Sequence, residues 1–109
     1  MRPTPSITSA DILDRAAELL ADCGWSPNTA SDSDGAPYDT FRVIQAAARL
    51  LRDEVPDAMI PPAGTARRAL KERLGVDSLF EWERDLTEAA VITALREAAA
   101  ALHAREDRR

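Results

Sequence analysis

Three aspartates and a glycine lie close together in the segment SDSDGAPYD, residues 31–39. Carboxylates at alternating positions are typical of calcium loops, which also need a glycine at the sixth position and an acidic residue at the twelfth. With Gly35 at the sixth position, Asp32 and Asp34 fall correctly, but an alanine and a phenylalanine occupy the first and twelfth. The pattern therefore favours a turn or short β-hairpin, for which Asp-Gly is well suited, and a cation site is the weaker alternative.

Few other residues are arranged for catalysis. His103 is the only histidine and Cys23 the only cysteine, and the four glycines stand apart, so no phosphate-binding loop is present. We expect His103 at the surface of the last helix, and Cys23 as a buried apolar residue on the first. Because no nucleophile lies beside a base in the sequence pattern, we predict a non-catalytic protein with no metal and no cofactor.

The remaining sequence predicts the elements that would position these residues. Apolar residues at helical spacing indicate a mainly α fold, a small bundle of about four to five helices with a short β-hairpin or turn between helices 1 and 2. We expect a flexible arm at 1–7, one helical domain at 8–104 and a frayed tail at 105–109.

The predicted helix boundaries follow from capping residues, glycine and proline. The first helix has a capping box of Thr8 and Asp11 and ends at Gly24. The others are a helix over 41–55 capped by Asp39 or Thr40, a third from a Thr65 cap to Gly75, a helical turn or two within 77–85, and a last helix from about Thr87.

The net charge of −5 is carried entirely by residues 1–40, and residues 41–109 are neutral overall. Four acids of the first helix share one face: Asp11, Asp14, Glu18 and Asp22. This distribution argues against non-specific nucleic-acid binding through the first half and is compatible with a basic protein partner or an ordinary solvated surface.

Nucleic-acid binding through residues 66–85 is the alternative function. The segment has the outline of a helix, a glycine-containing turn and a second helix, with positive charge from Arg67, Arg68, Lys71 and Arg73. However, the second helix would bring Glu81, Glu83 and Asp85 towards the phosphates, which would repel them.

A small helical protein-interaction or regulatory module is therefore the preferred interpretation. Large aromatic residues dominate many interfaces, and Tyr38 is the best surface candidate, whereas Trp25 and Phe80 are expected to seal the core. The candidate partner-binding residues are Asp32, Asp34, Tyr38, Asp39 and Trp82. Self-association is also compatible with so alanine-rich a helical chain.

The sequence also bears on location. No apolar run approaches the roughly 20 residues that span a bilayer, and the first residues lack the apolar stretch of a signal peptide. A single cysteine excludes an intramolecular disulfide, so we expect a cytoplasmic protein without membrane contact.

The order of several short motifs resembles an uncharacterised family of small actinobacterial and phage-encoded proteins, a domain of unknown function. The matching pieces are Gly24-Trp25, the D-x-D-G-x-P-x-D pattern over 32–39, the alanine-rich segment 41–51, and Trp82 followed by T-x-x-x-V over 87–91. The chain departs from the family at Val43 and Ala46, where cysteine and glycine are usual, and in the residues after Trp82. The resemblance implies a fold and no activity.

Overall fold

A computed structural model describes residues 6–26 and 38–107. This part of the chain forms five helices, which confirms the mainly α prediction. They are α1 (Ser9–Cys23), α2 (Thr40–Glu54), α3 (Ala63–Leu74), α4 (Leu79–Glu83) and α5 (Glu88–Asp107). The tip of the predicted hairpin lies outside the described residues, and the residues that flank it, Trp25 and Tyr38, form one parallel bridge.

The first helix is the centre of the bundle. It packs most extensively on α5 and α2, and also contacts α3. Its inward face is formed by Ile12, Leu13, Ala16, Ala17 and Leu20, all fully buried. Alanines on α2 and α5, such as Ala47 and Ala99, are also fully buried, so small side chains bring the helices close together around a core of leucine, isoleucine and valine.

Local signals explain most helix ends. The Thr8 side chain accepts a hydrogen bond from the Asp11 amide, and the Asp11 carboxylate accepts one from the Thr8 amide, which confirms the predicted capping box. Asp39 caps α2, and Gly75 ends α3 in the left-handed conformation, at φ 71°.

Two local predictions are wrong. The third helix begins at Ala63, with Pro62 rather than Thr65 at the capping position, because extended Pro62 places its carbonyl to accept from the Thr65 amide at 3.0 Å. Cys23 is exposed rather than buried, because it belongs to the last turn of α1, where Ala21 and Asp22 are exposed as well.

The amide of Ile7 donates to the Met59 carbonyl at 2.8 Å, and α5 continues to Asp107. None of the helices in the described ranges is both long enough and apolar enough to cross a membrane.

Candidate binding cleft

Two phenylalanines form an aromatic pair beside the main core. Phe41, in the first turn of α2, stacks on Phe80 of α4, with ring centroids 5.5 Å apart and ring planes inclined by 22°. Both residues are half-buried, and neither belongs to the described side chains that pack against the hydrophobic core. The expectation that Phe80 seals the core is therefore wrong: its ring packs on Phe41, and the residue stays partly exposed.

Arg67 of α3 covers the other face of this pair. Its guanidinium carbon lies 4.0 Å from the centroid of the Phe41 ring, a cation–π contact. Burial lowers the pKa of the Arg67 guanidinium, which nevertheless remains charged at neutral pH. Its Nη1 atom is buried and makes no hydrogen bond within the described structure, so this donor is unsatisfied.

A cavity of about 200 Å³ opens between these side chains. We call it the aromatic cleft; its lining includes Phe41, Arg67, Lys71, Asp77, Ser78 and Phe80. Lys71 follows Arg67 by four residues on α3, so both cations lie on the same side of that helix. The cleft thus presents two cations beside two aromatic rings.

A second depression lies on the other side of Arg67. We call it the arginine groove; it has a volume of about 310 Å³ and its lining includes Gln45, Arg49, Arg52, Pro62, Gly64 and Arg67. Among the residues that the structure describes, none of the side chains that line it is acidic. Because Arg67 lines both depressions, they are parts of one surface formed by α2, α3 and α4.

The cations of this surface have no acidic partners. Within the described ranges, none of Arg49, Arg52, Arg67 and Lys71 has a carboxylate within 4.0 Å, although Asp77 lines the same cleft as Lys71. By contrast, Arg15 on α1 pairs with both Glu18 and Glu54. The surface is therefore suited to an anionic ligand despite the negative net charge of the chain.

A buried carboxylate holds α4 in place beside α2. Glu83 is fully buried, and its Oε1 accepts hydrogen bonds from the Thr40 amide at 2.9 Å, the Thr40 hydroxyl at 2.6 Å and the Trp25 indole at 3.2 Å. Since Thr40 is the first residue of α2, the carboxylate also lies at the positive end of that helix. This contact fixes the adjacent Phe80 against Phe41.

A second glutamate attaches the same region to α5. The Trp25 amide donates to Glu88 Oε1 at 2.8 Å, while the Tyr38 amide donates to the Gly24 carbonyl at 3.1 Å. Glu83 and Glu88 therefore both bind Trp25, and Glu83 also binds Thr40. These two partners flank residues 27–37, which lie outside the described part of the chain. The sequence pattern predicts Glu83 on the outward face of a second helix and indicates no role for Glu88. The structure instead buries Glu83, and neither role is visible in the sequence because the partners are more than 40 positions away along the chain.

The predicted partner-binding residues do not share one environment in the structure. Asp32 and Asp34 lie outside the described residues. Asp39 is fully buried and caps α2 by accepting from the Arg42 amide at 2.7 Å, so its carboxylate serves the fold rather than a surface. Trp82 is half-buried and packs against the hydrophobic core.

Tyr38 is more enclosed than a free surface residue. It is half-buried, packs against the core, and has the Arg42 guanidinium 5.7 Å from its ring centroid. Tyr38 therefore lies next to Arg42 at the start of α2 and is not among the described residues that line the aromatic cleft.

The four predicted nucleic-acid-binding residues divide into two pairs. Arg67 and Lys71 line the aromatic cleft, whereas Arg68 and Arg73 are exposed on other parts of α3. The helix that would read bases, α4, has only five residues, and two of them, Leu79 and Glu83, are buried. Within the described segment 66–85, α4 is therefore shorter and more buried than the recognition helix of a helix-turn-helix.

The acidic face of α1 lies against side chains of α5 and α2. His103 of α5 has its Nε2 atom 3.4 Å from Asp14 and 3.7 Å from Asp11, while Arg15 of α1 pairs with Glu18 and with Glu54 of α2. The expected surface histidine is thus half-exposed at the contact between α1 and α5. Across the described ranges, no cluster of three or more His, Cys, Asp or Glu side chains is arranged to hold a metal ion.

The family assignment agrees with the order of motifs along the chain. The model of a family described as "Family of unknown function (DUF6197)" matches residues 4–101. The chain belongs to this family. The match includes all five helices except the end of α5, so the aromatic cleft and the arginine groove of this DUF6197 domain both lie within it. No match was found among curated proteins or among solved structures.

Proposed function

We propose that this domain is a non-catalytic protein-interaction module and that the aromatic cleft is its binding surface. The observation that carries the proposal is Arg67, a half-buried cation stacked on Phe41 with a buried Nη1 that has no hydrogen-bond partner in the described structure. A buried, unsatisfied donor costs about 1–3 kcal/mol. An acidic group from a partner that draws the guanidinium further into the cleft would satisfy this donor and offset the cost.

The residue types of the cleft suit a protein partner. Arginine and aromatic residues are enriched among the few side chains that dominate binding energy, especially where they lie in a pocket that a partner closes to water. Phe41 and Phe80 offer apolar area for one partner side chain, and Arg67 with Lys71 offers charge for a neighbouring one. We therefore propose a partner segment that carries an acidic residue beside an apolar or aromatic residue.

Nucleic acid is the second candidate, because arginine and exposed aromatic rings also bind single strands through phosphates and stacking. Two observations favour the protein partner. The chain has a net charge of −5, which repels a polyanion, and α4 is too short and too buried to act as a reading helix. The cleft accommodates a local acidic group without requiring an extended basic track.

Affinity capture with matched variants tests this proposal. The tagged protein and its Phe80→Ala and Met59→Ala variants would be incubated with extract of the source organism, and bound proteins quantified by mass spectrometry. Met59 is the control because it is 71% exposed and lies outside the cleft. Circular dichroism would verify that both variants remain folded.

We expect a stoichiometric partner that Met59→Ala retains and Phe80→Ala reduces at least tenfold, because the partner side chain loses its apolar contact. Equal capture by folded Phe80→Ala would contradict the proposal. Capture of nucleic acid in place of a protein, abolished by nuclease, would favour the second candidate.

A further inference from the structure

We propose that the arginine groove binds a phosphate group, carried by a phosphorylated side chain of the protein partner. This inference rests on the proposed function, because it places the phosphate on the same partner that occupies the aromatic cleft. The juxtaposition that carries it is three arginines from two helices, Arg49, Arg52 and Arg67, around one groove whose described lining contains no acidic side chain.

The charge of the groove matches a dianion better than a carboxylate. One arginine pairs with a carboxylate through two parallel hydrogen bonds, so a single acidic side chain would leave two of the three guanidinium groups unused. A phosphorylated side chain carries nearly two negative charges at neutral pH and three acceptor oxygens. Three guanidinium groups that line one groove supply donors for these oxygens.

The start of α3 adds to the positive potential. Pro62, Ala63 and Gly64 line the groove, and Pro62 provides no side-chain hydrogen bond to the first turn of this 12-residue helix. The first amides of a helix have no partners within it and carry partial positive charge, which favours phosphate oxygens. Here the helix end reinforces the arginines and does not form a site on its own.

Gly64 places the first turn of α3 beside Arg67. A methyl group at this position would lie 3.6 Å from the Arg67 guanidinium, at ordinary van der Waals contact. The guanidinium therefore lies next to the backbone of the first turn, on the groove that Gly64 also lines.

The surroundings of the groove favour a single phosphate over a chain of phosphates. The acidic residues Asp53, Glu54 and Asp57 follow Arg52 closely and are exposed. A phosphorylated peptide presents one strong negative charge, which the three arginines accept, whereas a nucleic acid extends further charges towards these acids. The charge pattern therefore points to a phosphoprotein.

Titration with inorganic phosphate tests the groove itself. Amide and arginine Nε resonances of the ¹⁵N-labelled full chain would be followed against phosphate, with chloride at matched ionic strength as reference. We expect saturable shifts at residues 63–67, and at least threefold weaker binding in Arg49→Met and in Arg52→Met. Arg96→Met, an exposed arginine of α5, serves as the matched control and should bind as the unaltered protein does.

Shifts that stay linear in phosphate concentration would overturn the proposal, as would an equal loss of affinity in Arg96→Met. The source of the phosphate is then tested with degenerate peptides that carry phosphoserine near acidic and aromatic residues, with the same peptides unphosphorylated, and with a single-stranded 12-nucleotide DNA.

We expect the phosphorylated peptides to bind at least tenfold more tightly than their counterparts, and Arg52→Met to remove the difference. Equal binding by both peptide pools alongside saturable phosphate shifts would mean a free anion only, and tighter binding of the DNA would mean a nucleic-acid ligand; either result overturns the phosphoprotein.

Phosphatase treatment separates this inference from the proposed function. We expect dephosphorylation of the extract to reduce partner capture at least tenfold. Capture that is unchanged by phosphatase but still lost in Phe80→Ala would overturn the phosphate site and leave the aromatic cleft as the interaction surface. Capture that is insensitive to Phe80→Ala would remove the proposed function itself, and the phosphoprotein inference with it.

Discussion

At the scale of single residues, Arg67 combines features that stability alone does not explain. Its guanidinium stacks on Phe41, its Nη1 is buried without a hydrogen-bond partner in the described structure, and burial lowers its pKa. Residues kept in unfavourable surroundings are found preferentially at binding sites, where a ligand supplies the missing contact. The same side chain lines both depressions of the candidate surface.

Replacing Arg67 with methionine separates stability from binding. We expect Arg67→Met to leave the free energy of unfolding unchanged or to raise it by up to about 1 kcal/mol, because the removed unsatisfied donor offsets the lost cation–π contact. Urea unfolding followed by circular dichroism would measure this. The control, Arg96→Met, should stay within about 0.5 kcal/mol of the unaltered protein. A loss of more than about 1 kcal/mol in Arg67→Met would show that this arginine mainly stabilises the fold.

At the scale of elements, the short helix α4 depends on a contact with α2 rather than on its own length. Five residues are too few for a stable isolated helix. Ser78 caps its start, and Glu83 at its end accepts two hydrogen bonds from Thr40 and one from Trp25. Phe80 is therefore positioned for the cleft by a carboxylate three residues further along the chain.

Removing this carboxylate should loosen α4. We expect Glu83→Leu to lower the free energy of unfolding by about 2–4 kcal/mol, because three donors would lose a buried charged acceptor. The matched control is Glu81→Leu, since Glu81 is exposed on the same helix, and its effect should be within about 0.5 kcal/mol. Chemical denaturation would measure both, and equal stabilities would rule out the positioning role of Glu83.

At the scale of the whole molecule, the sequence predicts the bundle better than the binding surface. Thr8, Asp11, Asp39 and Gly75 act through neighbours within a few positions, so their roles are visible in the sequence. Helical periodicity likewise places Ile12, Leu13 and Leu20 in the core.

The cleft has no comparable local signal. Phe41, Arg67 and Phe80 are far apart in the sequence and meet only when α2, α3 and α4 pack together. The sequence does reveal the basic cluster around Arg67, but it suggests a DNA-binding helix pair. It cannot reveal that α4 is short or that Glu83 is buried, because both features depend on tertiary contacts.

The most direct test of the account compares partner capture by the unaltered protein, Arg67→Met and Arg96→Met, each verified as folded, from the same extract. The proposal predicts that Arg96→Met retains a stoichiometric protein partner and that Arg67→Met loses it at least tenfold without losing stability. A partner bound equally by all three proteins would contradict the claim that this surface is the interaction site.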